Sequence, residues 1–166
     1  MPAVEDALKA NRAAVEAFLA DVDQLASTWL TPRAPRKWTP AQVTEHVARG
    51  YDESAKLFAG QPALFPSLPG LIRPVARGLL FNRVVRKGTF PKARTNRPMD
   101  PETGPATPAE GRARLEAALA GFERQAKMTG SAGDAMVASK TFGAVKLSDW
   151  VRFQEVHARH HQKQLK

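Results

Sequence analysis

From Ser148 to Leu165 the chain runs SDWVRFQEVHARHHQKQL, without a glycine or a proline. A stretch of this kind, opened by a serine and an aspartate, reads as a helix. The serine oxygen suits the orphan amides of a first turn, and the acid suits the positive end of the helix dipole. Residues on a helix advance by about 100° each, so residues four apart share a face. His157 and His161 have that spacing, and Trp150, Phe153 and Gln164 fall near the same side. That side is expected to point inward, with two imidazoles one turn apart, as in helical motifs that present two histidines to one metal. His160 points about 60° to the other side of His157. Its i, i+3 spacing makes it an alternative ligand, although a place at the rim or behind the ligands is the expectation.

The rest of the chain also reads as helical. Val4, Leu8, Val15, Phe18, Leu19, Val22, Leu25 and Trp29 recur at three- and four-residue steps, which predicts a first helix over about 3–29. Thr31 to Lys37 is a short loop with two prolines. Thr39, Pro40 and Gln42 form a capping-box pattern with proline at the first helical position. The helix they open is expected to reach about Ala59. His46 lies between Val43 and Val47 there and should face inward. Leu71 to Lys87 is a weaker helix candidate, interrupted by Gly78, and Gly88 to Pro108 is a long irregular connection rich in proline. Thr107, Pro108 and Glu110 repeat the capping pattern and open a helix to about Met128, with Leu115, Leu119 and Phe122 inward. No strand-like alternation of useful length is visible. The expected fold is therefore all-α: one domain over 1–166, a four-helix bundle with a long basic, Pro-rich insertion between the second and third main helices. Read from the residues, His46, His157 and His161 meet inside that bundle and hold one divalent metal.

Composition narrows the chemistry. There is no cysteine, so no disulfide, thiolate ligand or cysteine nucleophile exists. No apolar run approaches the ~20 residues of a membrane span, and the N-terminus does not resemble a secretory signal. A cytoplasmic protein without a membrane partner is the expectation. The net charge is +9, and it belongs to one segment. Between Ser54 and Met99 stand Lys56, Arg73, Arg77, Arg83, Arg86, Lys87, Lys92, Arg94 and Arg97, with no acid; elsewhere bases and acids balance. Such a segment suits attraction of a small anionic substrate to a nearby metal site. Sparse aromatic interleaving and the lack of a recognised motif argue against nucleic acid. Glu53, two turns after His46, is a candidate for orienting an imidazole, as is Gln164, although a solvated charge is the commoner role for such a glutamate. Trp29, Trp38 and Trp150 read as core and capping residues.

The sequence resembles the DinB-like (DinB/YfiT) superfamily of bacterial four-helix-bundle proteins. Its second helix opens on W-[ST]-x-x-x-[LIV]-x-x-H-[LV], which appears here as WTPAQVTEHV over 38–47. Its fourth helix carries H-x-x-H-H-x-x-Q, which appears as HARHHQKQ over 157–164. The resemblance implies a metal held by the second-helix histidine and two fourth-helix histidines, here His46, His157 and His161. It also implies a homodimer, and S-transfer or isomerisation with low-molecular-weight bacterial thiols. It does not imply polymerase activity or DNA binding. Three neutral imidazoles leave at least one open metal position. Histidine-only ligation suits zinc or nickel, and also iron or cobalt. A thiol nucleophile would have to come from a cofactor or substrate. The expected function is a metal-dependent enzyme, a thiol-dependent S-transferase or a hydrolase acting on a small anionic substrate. The alternative is a non-catalytic metal-binding stress or interaction protein using the basic segment 54–99 as its contact surface, nucleic acid included.

Overall fold

The structure, a computed structural model, describes residues 2–91, 96–131 and 133–166. Lys92 and Arg94 of the basic segment lie outside the described residues. Four long helices dominate: α1 (Pro2–Val22), α2 (Pro40–Phe58), α5 (Pro108–Thr129) and α6 (Leu147–Gln162). The most extensive packing is of α2 against α5 and of α1 against α6. The inward residues expected of α1, Val4 through Val22, are buried, as are Val43 and Val47 of α2 and Leu115, Leu119 and Phe122 of α5.

Local chemistry sets most helix ends. At α2, Thr39 Oγ1 accepts from Gln42 N at 3.2 Å while Gln42 Oε1 accepts from Thr39 N at 2.9 Å, the complete capping box. At α5, Thr107 accepts from Glu110 N, but the Glu110 carboxylate takes the amide of Ala106 instead of Thr107. Helix α1 stops at Val22, seven residues before the expected end at Trp29. Asp21 and Asp23 place negative charge at its carboxyl end, where the dipole disfavours it, and the chain continues in tighter turns, with Gln24 N on Asp21 O and Leu25 N on Val22 O. Trp29 is buried all the same, its Nε1 donating to Pro105 O at 2.8 Å.

Two expectations are corrected. The fold is mostly helical, as expected of the all-α class, but a short antiparallel hairpin forms where no strand was expected: β1 (Met136–Ser139) pairs with β2 (Gly143–Lys146). Each strand buries only one or two side chains, chiefly Val137 and Val145, which is too little period-two signal to stand out in sequence. Helix α6 starts at Leu147, and Ser148 is not its cap. The Asp134 carboxylate reaches back to take Ser148 N at 3.0 Å and Ser148 Oγ at 2.8 Å. A carboxylate supplied from the loop before the hairpin thus does the capping work.

The stretch between α2 and α5 carries α3 (Arg73–Ala76), a π-helical turn (Arg77–Phe81) and α4 (Asn82–Lys87). The candidate helix thus forms, later than Leu71 and with a wide turn at Gly78. The widened turn aims Phe81 into the core, 5.1 Å from Phe153 and 5.8 Å from Trp150 between ring centroids. Among the described residues no helix is long and apolar enough to cross a membrane.

Candidate metal centre

Helix α2 supplies His46, and α6 supplies His157 and His161, one turn apart. One ring nitrogen from each lies within 4.8 Å of the others, a grouping that can hold a metal ion. His46 Nε2 stands 3.1 Å from His157 Nε2. The close approach of the two helices rests on Gly50. A Cβ there would sit 3.3 Å from both the His157 ring and Gln154 Oε1, tighter than side chains normally pack.

Hydrogen bonds orient the rings. Met99 O accepts from His46 Nδ1 at 2.8 Å, so the proton sits on Nδ1 and the Nε2 lone pair faces the cluster. Gln164 Oε1 accepts from His161 Nδ1 at 3.0 Å, with the same effect on that ring. The Gln164 amide nitrogen stands 3.3 Å from His160 Nε2, so one glutamine bridges two histidines. His157 Nδ1 is buried without a partner, and so is Gln154 Oε1 one turn earlier on α6. Both face Gly50. A proton on His157 Nδ1 leaves the third Nε2 lone pair at the cluster. Three imidazoles in this tautomer suit a divalent ion, since bound histidines commonly hold their outer nitrogen on a carbonyl or carboxylate.

Burial and mutual repulsion favour the neutral rings. Burial lowers His46, partly offset by the Met99 carbonyl. His157 is pushed far below the ordinary histidine range, first by burial and then by His161 and His46. His161 falls to about 3, again mainly through burial. The consequence for the metal-free protein has a definite sign. The unfolded chain takes protons near pH 6.5 that the folded chain refuses, so folding is unaffected above that value and weakens as pH falls below it. For His161 the loss approaches ~1.4 kcal/mol per pH unit over this range. The urea midpoint of metal-free protein is therefore expected to drop between about pH 7 and about pH 5, and to drop less in His161→Gln.

The site opens into a cavity of about 750 Å³. Phe65, Leu80, Phe90 and Phe153 form apolar walls, and Trp38 lies against His46 at 4.8 Å between ring centroids. Arg33, Arg36, Lys37 and Lys163 reach the cavity, and none of its described lining residues is acidic. Among the described residues, segment 54–99 contributes walls to the cavity, such as Phe65, Leu80 and Phe90, and the cations that reach it come from the α1–α2 loop and the end of α6. Arg33 Nη1 ties the two together by donating to Lys163 O at 3.1 Å. Arg36 holds a left-handed backbone (φ 63°), a cost that non-glycine residues bear chiefly where surrounding structure or function demands it.

The remaining candidates sort clearly. His160 lies on the cavity wall outside the three-nitrogen cluster. Gln164 stands where an orienting residue should. Glu53 does not: its buried carboxylate holds Lys56 at 2.6 Å and Leu64 N at 2.7 Å. Trp29 and Trp150 are core residues, but Trp38 belongs to the site. Met99 O and Gln154 escaped sequence reading, as did the cations of the α1–α2 loop. Three bases within five residues, Arg33, Arg36 and Lys37, were the available signal for that loop.

A mainly helical chain with three histidines from two helices at the floor of a basic-rimmed cavity defines a class of helical protein whose histidine cluster could hold a metal ion. The family model described as the DinB superfamily matches residues 7–165, and the chain belongs to that superfamily. No curated protein and no solved structure matches it.

Proposed function

We propose that the chain is a single-domain four-helix bundle of DinB type, and a metal-dependent enzyme in which His46, His157 and His161 hold one divalent ion, zinc or nickel. The reaction proposed is transfer of a low-molecular-weight thiol to a small anionic substrate, or hydrolysis of such a substrate, in a cytoplasmic homodimer. The observation that carries this reading is the open, cation-rimmed cavity ending on three oriented imidazoles. A purely structural metal site is closed by its ligands, and 750 Å³ of adjoining space would serve it no purpose. Membership in a superfamily whose proteins often bind metal supports the same reading.

Bound there, the ion would supply Lewis-acid activation of a water or thiol entering from the cavity. The protein's own part is positioning. Met99 O and Gln164 keep two rings turned with Nε2 inward. Arg36, Lys37 and Lys163 hold the anionic group of the substrate, and Phe65 and Phe90 exclude water from its apolar part. In transfer, the thiol loses its proton to solvent, a sulfur–carbon bond forms as the bond to the leaving group breaks, and the leaving group departs with that bond's electron pair.

The test is turnover of a thiol and an anionic electrophile by protein reconstituted with zinc or nickel. Chelation should abolish it. Lys37→Ala and Arg36→Ala should raise KM by roughly tenfold each, with kcat retained, the loss of one charged hydrogen bond. A rate that is the same with and without metal would contradict the reading.

A further inference from the structure

The described part of the basic segment gives the cavity apolar walls, and its outer face has a distinct character. Eight large apolar side chains are exposed among the described residues, and five of them, Leu64, Leu71, Ile72, Val75 and Leu79, fall within 54–99. Leu71 is 94 % exposed and Leu79 73 %. Ile72, Val75 and Leu79 follow helical spacing along one side, and Arg83, Arg86 and Lys87 continue the exposed surface over the next two turns. The opposite side of the same stretch buries Phe81 and Val84 and lends Leu80 to the cavity. The outward leucines are thus not misplaced core residues.

We propose that α3, the π-helical turn and α4, with the loop that precedes them, form a docking surface for the anionic face of a lipid bilayer. An interfacial helix of this kind combines exposed aliphatic side chains with arginine and lysine, the first entering the acyl boundary and the second meeting lipid phosphates. Charge complementarity selects this partner. The segment contains no acid, and among the described ion pairs only Lys56, held by Glu53, uses one of its bases. Arg73 and Arg77 spend a hydrogen bond each on the carbonyls of Leu68 and Ala144, which leaves their charge uncompensated. A second copy fits poorly, because a two-fold interface opposes like surfaces and would bring these cations together. Nucleic acid fits poorly too. It needs no protruding leucines, and the aromatic rings that would stack on bases are turned inward: Phe81 is buried, and Phe65 and Phe90 pack against the core. The surface departs from the expectation of no membrane partner, which rested on the absence of a spanning helix; an interfacial helix needs none.

The experiment is flotation of the full chain with vesicles of phosphatidylcholine, alone or mixed with phosphatidylglycerol. Binding is expected to the mixed vesicles only, and to weaken as salt is added. Leu71→Asp/Leu79→Asp should reduce it by at least about tenfold, as should Arg83→Glu/Arg86→Glu. All four positions are exposed, so circular dichroism should be unchanged. Failure to bind mixed vesicles would overturn the proposal, as would binding that the leucine variant leaves intact. Preference for duplex or single-stranded DNA over the vesicles would transfer the surface to nucleic acid. A dimer that the leucine variant disperses, without vesicle binding, would assign it to a second copy. None of these outcomes depends on metal or turnover.

Discussion

Alanine at His157 is expected to lower divalent-metal affinity by more than about 100-fold. Changes one bond beyond a metal's ligands already cost about 10–100-fold, and this one removes a proposed ligand outright. His157 Nε2 lies 3.1 Å from that of His46, so the substitution also removes the contact between the ligands of the two helices. Gln164→Leu provides a graded comparison. It keeps all three imidazoles but takes the acceptor from His161 Nδ1 and the donor from His160. Its affinity should fall by about tenfold, within the range for an orienting partner. Competition with a fluorescent chelator measures both. An affinity unchanged in His157→Ala would remove this histidine from the site, whereas equal losses in the two variants would mean that orientation matters as much as ligation.

Gly104→Ala is expected to destabilise the fold by about 3 kcal/mol or more, the upper range for forced overpacking. A Cβ at this position would stand 2.3 Å from both the carbon and the oxygen of Ala41, and 2.8 Å from Gln42 N. These are backbone atoms, and they are pinned. Ala41 N donates to Trp29 O, Gln42 closes the capping box with Thr39, and its side chain donates to the carbonyls of Pro101 and Glu102. Relaxation would have to move Ala41 and Gln42 in the first turn of α2, the turn before His46. The melting temperature should fall by roughly 10 °C for a chain of this length. Gly121→Ala is the contrasting case. It lies inside α5 with nothing nearer than Arg124 Nη2 at 4.0 Å, so it should gain about 0.5–1 kcal/mol from helix propensity. Thermal melts of the two variants read opposite signs from the same chemical change.

The features legible in sequence are those set by neighbours along the chain. Thr39 and Gln42 cap each other across three residues, and the i, i+4 spacing of His157 and His161 needs only a helix to bring both rings to one side. Where contacts come from afar, the sequence is silent. Met99 O lies 53 residues from the His46 ring it orients, and a backbone carbonyl has no residue signature. Asp134 displaced Ser148 as the source of capping because a carboxylate from another loop offered two acceptors at once. The α1 boundary failed for a related reason: Leu25 and Trp29 do pack inward, as the periodicity demands, but from turns instead of a continued helix. The basic segment shows the limit of charge counting. Its composition was plain, yet only folding decided which face of it met the cavity and which met solvent.

The measurement that bears most directly on the three-histidine site is metal-edge X-ray absorption on untagged protein reconstituted with zinc, beside elemental analysis. The account predicts about one ion per chain, bound by nitrogen and oxygen donors, with three imidazoles at about 2.0–2.1 Å and with the signal lost in His157→Ala/His161→Ala. Protein that takes up neither zinc nor nickel would contradict it, as would an ion whose surroundings lack imidazole or survive the double substitution.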